Sequence, residues 1–371
     1  MQKKIILFYA PFIARSRDTE SVMLSLLDKK FEVYFLSQQP AEDLVEYLSS
    51  KGIRAYGTST TNVKNKYLKL FISIMNLIIF CWKYKINIVY SHLDSANFTA
   101  VFAQYLVMAK IYLVRHYVNE HEINGLETSI YYKCIRTLGL RHIVVSEKAK
   151  TFMIEKDGVS SSKIQKIKLA YDFLLYPAPE KEQVKKIRNN FSSDIILLSV
   201  MRLVELKRPL ILIDIVIKLI DCGIEPTALI LGDGPLRDQM QKEINKYCLN
   251  KHIFLLGHNN NVMDYYGAAD VLIHPSVSES SCVVTKEAAL VCCPVIVCKH
   301  VGDFEEYIEH EKNGFLIEKD KFTNECVDII MHYMDKKESL NKIGANLKPI
   351  VSKMFAIEEV IDDYLRQIEA Y

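Results

Sequence analysis

The stretch His274-Pro275-Ser276-Val277-Ser278-Glu279-Ser280-Ser281-Cys282-Val283-Val284-Thr285-Lys286-Glu287-Ala288 carries two carboxylates, Glu279 and Glu287, with seven residues between them. The apolar run at 271–273 before it reads as a strand, 276–281 as a polar loop and 283–291 as a helix. A loop entering a helix at the end of a strand offers N–H groups that no helix carbonyl takes and a partial positive charge, which suits a phosphate. A carboxylate on either side of that point can hold the hydroxyls of a sugar and of a ribose. That is the pattern needed to grip a nucleotide-sugar.

Outward from this point, short apolar runs alternate with helix-length segments to both ends of the chain. The runs fall at 195–200, 228–231, 253–256, 271–273, 295–297 and 315–317, and earlier at 5–9, 31–36, 86–90, 111–114 and 142–145. Segments such as 68–82, 209–220, 235–247 and 283–291 are long enough for helices. Strands apolar on both faces and separated by helices predict parallel sheets covered on both sides. The architecture expected is α/β, with two doubly wound Rossmann-like domains facing a cleft at the carboxyl ends of their strands. Two prolines in Tyr176-Pro177-Ala178-Pro179-Glu180 mark the break. The expected domains are 1–178, on the acceptor side, and 179–345, which binds the donor. The tail, 346–371, ends in an amphipathic helix that packs back toward the first domain.

Composition narrows the partners. With 371 residues, half apolar and a quarter charged, the chain is globular and too long for one ordinary core. A net charge of +2 leaves no footprint for nucleic acid. Nine cysteines without a Cys-x-x-Cys pair support neither a disulfide framework nor a zinc site, so a reducing cytoplasm and no metal are expected. The apolar stretch 70–82 falls short of the roughly 20 residues that span a bilayer. The segment from Lys64 to Lys85 is basic at both ends and apolar between. It suits peripheral contact with the inner face of a membrane, although a buried sheet-covering helix with solvated lysines is the preferred reading.

The second half carries an ordered series: Arg202 and Lys207 after a strand, Leu231-Gly232-Asp233-Gly234-Pro235, Leu256-Gly257-His258, the two glutamates, Val301-Gly302-Asp303 and Asn313-Gly314-Phe315. Fixed cations such as Arg202 and Lys207 stabilise the charge that grows on a departing diphosphate. There is no third glycine for a dinucleotide fingerprint and no Gly-Lys-Ser/Thr phosphate loop.

Over about 195–317 the order and spacing of these motifs resemble the family 4 retaining glycosyltransferases of the GT-B fold. The resemblance implies transfer of a hexose-type sugar from a nucleoside diphosphate sugar to a glycan or lipid-linked acceptor, in making cell-surface polysaccharide or glycoconjugate. It implies retention of anomeric configuration and no cofactor. By position, Lys207 and Arg202 match the diphosphate-binding cations, Glu279 the residue facing the transferred sugar, and Glu287 the residue on the ribose. His116, after the run at 111–114, matches a first-domain histidine that touches the sugar. Gly232, Gly234, His258 and the helix start Ser281, Cys282, Val283 and Val284 complete the donor site that the resemblance implies. His274 reads as a packing or loop-bonding histidine.

The chain departs from the family where Ser280, Cys282 and Cys292 replace glycines. It departs again in the first loop, Pro11 to Glu20, where Arg15 or Arg17 would supply charge in place of paired glycines. These departures leave a rival reading, a catalytically silent glycosyltransferase-like partner subunit. The intact charged set speaks against it.

Overall fold

A computed structural model describes residues 4–12, 17–39, 42–58, 63–116, 133–134, 138, 140–191 and 193–369. It forms two compact units, Met1–Asp172 with Phe355–Tyr371, and Phe173–Met354.

The first unit holds β1 (Ile5–Phe12), β2 (Glu32–Gln39), β3 (Arg54–Gly57), β4 (Ile88–His92), β5 (Lys110–Arg115), β6 (Arg141–Val144) and β7 (Ile164–Lys166). They lie in the order β3-β2-β1-β4-β5-β6-β7, every pair parallel. Alternate residues of β1 feed two cores. Leu7 and Tyr9 meet Leu77 and Ile78 of the helix Lys66–Lys83. Ile6 and Phe8 meet Val22, Met23 and Leu26 of the helix Arg17–Asp28, and Val360 and Tyr364 of the terminal helix Ile357–Glu369. With both faces covered, the central strands are apolar without alternation. The terminal helix is tied to the sheet's unit by Tyr171, whose N–H donates to Phe355 O at 2.8 Å and whose carbonyl accepts from Ile357 N–H at 3.0 Å.

The helix Lys66–Lys83 starts at Asn65, whose Oδ1 accepts from the N–H groups of Tyr67 and Leu68 at 3.0 and 3.1 Å. It covers the sheet with Ser73, Leu77, Ile78 and Cys81. Only that face is buried. The helix covers the sheet as expected, but it is not buried on its other side, where Phe71, Ile79 and Trp82 are exposed.

The second unit holds β8 (Ile195–Val200), β9 (Pro226–Leu231), β10 (Ile253–Gly257), β11 (Val271–His274), β12 (Val295–Cys298) and β13 (Phe315–Ile317), in the order β10-β9-β8-β11-β12-β13. All its pairs are parallel. In both units the first strand is central and later strands wind to one side, then the other. The chain therefore switches direction between β1 and β4, and between β8 and β11. Ligands of such sheets sit at the carboxyl ends of the strands beside the switch.

Gly344, in the helix Lys337–Met354, shows how closely that helix packs. A Cβ there would lie 2.2 Å from Cys292 O and 2.8 Å from Pro294 N. Alanine in place of glycine normally favours a helix by about 1 kcal/mol. Here backbone meets backbone, so Gly344→Ala should instead destabilise by about 1–3 kcal/mol, seen as a lower Tm in thermal melts.

Candidate active site

The segments that follow β8 and β11 flank the second unit's switch point. The exit from β8 ends in a single turn, Glu205–Lys207, and the exit from β11 runs through 275–282 into the helix Val283–Leu290. Backbone joins them, with Val277 N–H donating to Leu206 O at 2.9 Å. Lys207 Nζ reaches Ser278 O at 3.4 Å and the Glu279 carboxylate. The same Oε1 takes His274 Nε2 at 2.7 Å.

Three charges thus share one buried place. Burial works against charge on Glu279, but His274 first and Lys207 second bring its carboxyl down to about 2. Burial also pushes His274 down, yet the Cys282 sulfur at 3.6 Å and Glu279 reverse this and raise it to about 9. At neutral pH Glu279 is therefore a carboxylate and His274 an imidazolium. His274 is therefore the partner of Glu279, a role that its place at a strand end did not reveal.

The loop before the helix is clamped from below. Asp303 accepts from Ser281 Oγ at 2.5 Å, from Lys286 Nζ at 2.8 Å and from Cys282 N–H at 3.4 Å. Lys286 also donates to Ser281 Oγ at 3.0 Å and Cys282 O at 3.1 Å. Lys286 and Asp303 are each 1% exposed. A buried pair of this kind does little for stability by itself, but losing either partner would leave an uncompensated buried charge. Gly302 has φ +55°, and a Cβ on it would lie 2.8 Å from Glu279 Cβ. Neither Lys286 nor Asp303 stands out in the sequence as a site residue. The available signal was helical spacing, which puts Lys286 on the buried face with Ala289.

Cys282 is the N-cap of the helix, with φ −87° and ψ 112°, so it needs no glycine. Ser280 also avoids positive φ, whereas Cys292 has φ +61° and occupies a backbone form that favours glycine. Val283 and Val284 form the first turn, whose N–H groups no helix carbonyl takes.

Gly232 and Gly234 act through close approach. A Cβ on Gly232 would meet Met201 O at 1.9 Å, and one on Gly234 would meet Leu203 O at 2.5 Å. Met201 N–H donates to Leu231 O and Leu203 N–H to Asp233 O, both at 3.0 Å, which fixes the backbone on either side of the exposed Arg202. Glu287 accepts from Tyr266 OH at 3.1 Å. His258 is exposed beyond Gly257.

In the first unit, His116 follows β5 and meets His92, the last residue of β4. His92 Nδ1 and His116 Nε2 are 3.0 Å apart, with the rings stacked at 5.2 Å. Burial, then the neighbouring His116, holds His92 well below its ordinary value, so it is neutral. Leu93 beside it has φ +67°, a costly conformation for a residue with a side chain. Arg115 is buried and paired with Asp157. Arg15 lies outside the described residues, as does the Arg17 side chain.

Among the described residues, His274, Glu279 and Cys282 offer one group of ligand atoms within 4.8 Å of one another. A cation there would compete with Lys207 for the Glu279 carboxylate. The network is better suited to holding Glu279 charged.

Stability should follow pH accordingly. His274, raised from 6.5 to about 9, stabilises fully below pH 6.5 and loses this as pH rises through 9. Glu279, lowered from 4.5 to about 2, stabilises above pH 4.5 and loses this as pH falls through 2. His274→Asn should therefore remove part of the Tm decline of the native chain between pH 6.5 and 9. Superimposable pH profiles in thermal melts would refute the ion set.

Residues 180–348 match the family model of glycosyl transferases group 1. The alpha-monoglucosyldiacylglycerol synthase of Acholeplasma laidlawii is 30% identical over 134 residues, which are 34% of this chain and 33% of that protein. The UDP-Gal:alpha-D-GlcNAc-diphosphoundecaprenol alpha-1,3-galactosyltransferase of Escherichia coli is 26% identical, over 89% of both chains. The chain spans between about a third and a half of the length of several curated relatives. The crystal structure of Anabaena Alr3699/HepE with UDP-glucose superposes with a TM-score of 0.83 at 18% identity, covering 99% of this chain and 100% of that one. The fold is GT-B, two Rossmann-like domains built on parallel sheets. The likeness to the glycosyl transferases of group 1 is thus carried by residues 180–348, a little under half of the chain.

Proposed function

We propose that this chain is a retaining, metal-independent glycosyltransferase. It moves a hexose-type sugar from a nucleoside diphosphate sugar to a glycan or lipid-linked acceptor of cell-surface polysaccharide or glycoconjugate synthesis, at the cytoplasmic face of a membrane. The observation that carries this reading is Lys207 paired with a buried, charged Glu279 beside the start of the helix Val283–Leu290. Arg202 and Glu287 lie in the same unit. The lipid-linked acceptor draws support from the Escherichia coli relative, whose name gives a diphosphoundecaprenol acceptor. The donor class draws support from the Anabaena neighbour, whose crystals hold UDP-glucose.

In this mechanism the first-turn N–H groups of Val283 and Val284 take the diphosphate, and Lys207 and Arg202 meet the negative charge that grows as the glycosidic bond breaks. Lys207 turns from Glu279 toward that charge. His274 stays behind and keeps Glu279 ionised, so the carboxylate can accept the sugar's hydroxyls. Glu287 holds the ribose. The cations and the helix start supply the charge that a metal would bring.

The test is transfer from a nucleotide-sugar, with the product linkage read by NMR. Retained configuration, and turnover that survives a chelator, are expected. Inversion or strict dependence on manganese would overturn the mechanism, and UDP, GDP or ADP binding without turnover would mark a silent subunit.

Lys207→Ala should lower kcat about a hundred- to thousand-fold with a smaller change in donor affinity, by analogy with the loss of one oxyanion contact. Glu287→Ala should mainly weaken donor binding, because a ribose contact is similar in ground and transition states. Calorimetry and steady-state kinetics separate the two.

A further inference from the structure

We infer that one face of the first unit, built by the helix Lys66–Lys83 and the segment 102–108, docks flat on an anionic bilayer surface. This deepens the proposed lipid-linked acceptor and rests on it for its purpose, though not for its test.

The helix is apolar on two opposite sides. Ser73, Leu77 and Cys81, four residues apart, face the sheet. On the outer side Tyr67, Phe71, Ile79 and Trp82, at steps of four, eight and three, are exposed, while Met75 between them packs partly against the core. Tyr67 is 74% exposed, Phe71 60% and Trp82 59%. The outer side continues onto the neighbouring element, since Trp82 Nε1 donates to Leu106 O at 2.9 Å. Tyr105 and Leu106 are exposed there, and Met108 is 93% exposed. An apolar face of this extent on a soluble surface marks an interaction site.

Charge selects the occupant. From Lys64 to Lys85 there are five lysines and no acid, in a chain whose net charge is only +2. Lys64, Lys66, Lys83 and Lys85 lie at the two ends of the helix. Long lysine stems can lie along an apolar surface while their heads reach phosphates. Tryptophan and tyrosine suit the boundary between acyl chains and water. A second copy on this face would set lysines against lysines. Among the described residues, no helix is long and apolar enough to cross a membrane, so the face lies on the bilayer.

Trp82 is the chain's only tryptophan, and it lies in the face itself. Its emission should shift to the blue and resist acrylamide with phosphatidylcholine vesicles containing phosphatidylglycerol. It should not change with phosphatidylcholine alone, and salt should reverse the effect. Phe71→Ser with Met108→Ser should lower vesicle partition about tenfold or more, since burying such side chains drives interfacial binding. Both residues are exposed, so melts should be unchanged. An unchanged Trp82 spectrum, equal binding to neutral vesicles, or a shift that tracks protein concentration without lipid would overturn the inference, the last by identifying a second copy. UDP titration of the same samples reports the donor site separately.

Discussion

A carboxylate that must stay charged while almost nine-tenths of it is out of water organises the carboxyl end of the second sheet. Glu279 meets that demand with two cations of different kinds. Lys207 has a long, mobile stem at the end of a short turn, whereas His274 is a rigid ring in a buried strand end. One partner can leave when a stronger anion arrives, and the other cannot. Removing either cation leaves buried charge uncompensated, a far larger effect than the net worth of the pair.

The scaffold beneath works by exclusion of side chains. Gly302, Gly232 and Gly234 each let backbone approach where even a methyl group would collide. Lys286 and Asp303 pin the loop 281–282 from beneath. The first unit has its own tight place at the corresponding sheet edge, where neutral His92 stacks on His116 and Leu93 takes a costly backbone form.

The strands at the centre of each sheet were legible, because burial on both faces makes them runs of apolar residues. All six strands of the second unit fall on such runs. β3 and β7 were not legible. Arg-Ala-Tyr-Gly and Ile-Gln-Lys are short outer strands with solvated positions, and neither shows a run. At the site, Lys207, Glu279 and Glu287 were visible through motif order. His274 was legible only as a packing or loop-bonding histidine, not as the partner of Glu279, and the Lys286–Asp303 pair under the loop had no assigned role, because pairing across loops leaves no local pattern. The helix Lys66–Lys83 was legible as one that covers the sheet, but the exposure of its outer side was not, because composition cannot tell a core from an exposed face.

The path of the chain has a consequence for how it is made. The first sheet's face borrows Val360, Ile361 and Tyr364 from the terminal helix, which follows the whole of the second unit. During synthesis the second unit therefore has all its own residues before the first does. The seven-stranded sheet waits with part of one face bare until that helix leaves the ribosome. The second unit can therefore complete its core before the first, against the usual amino-terminal-first order.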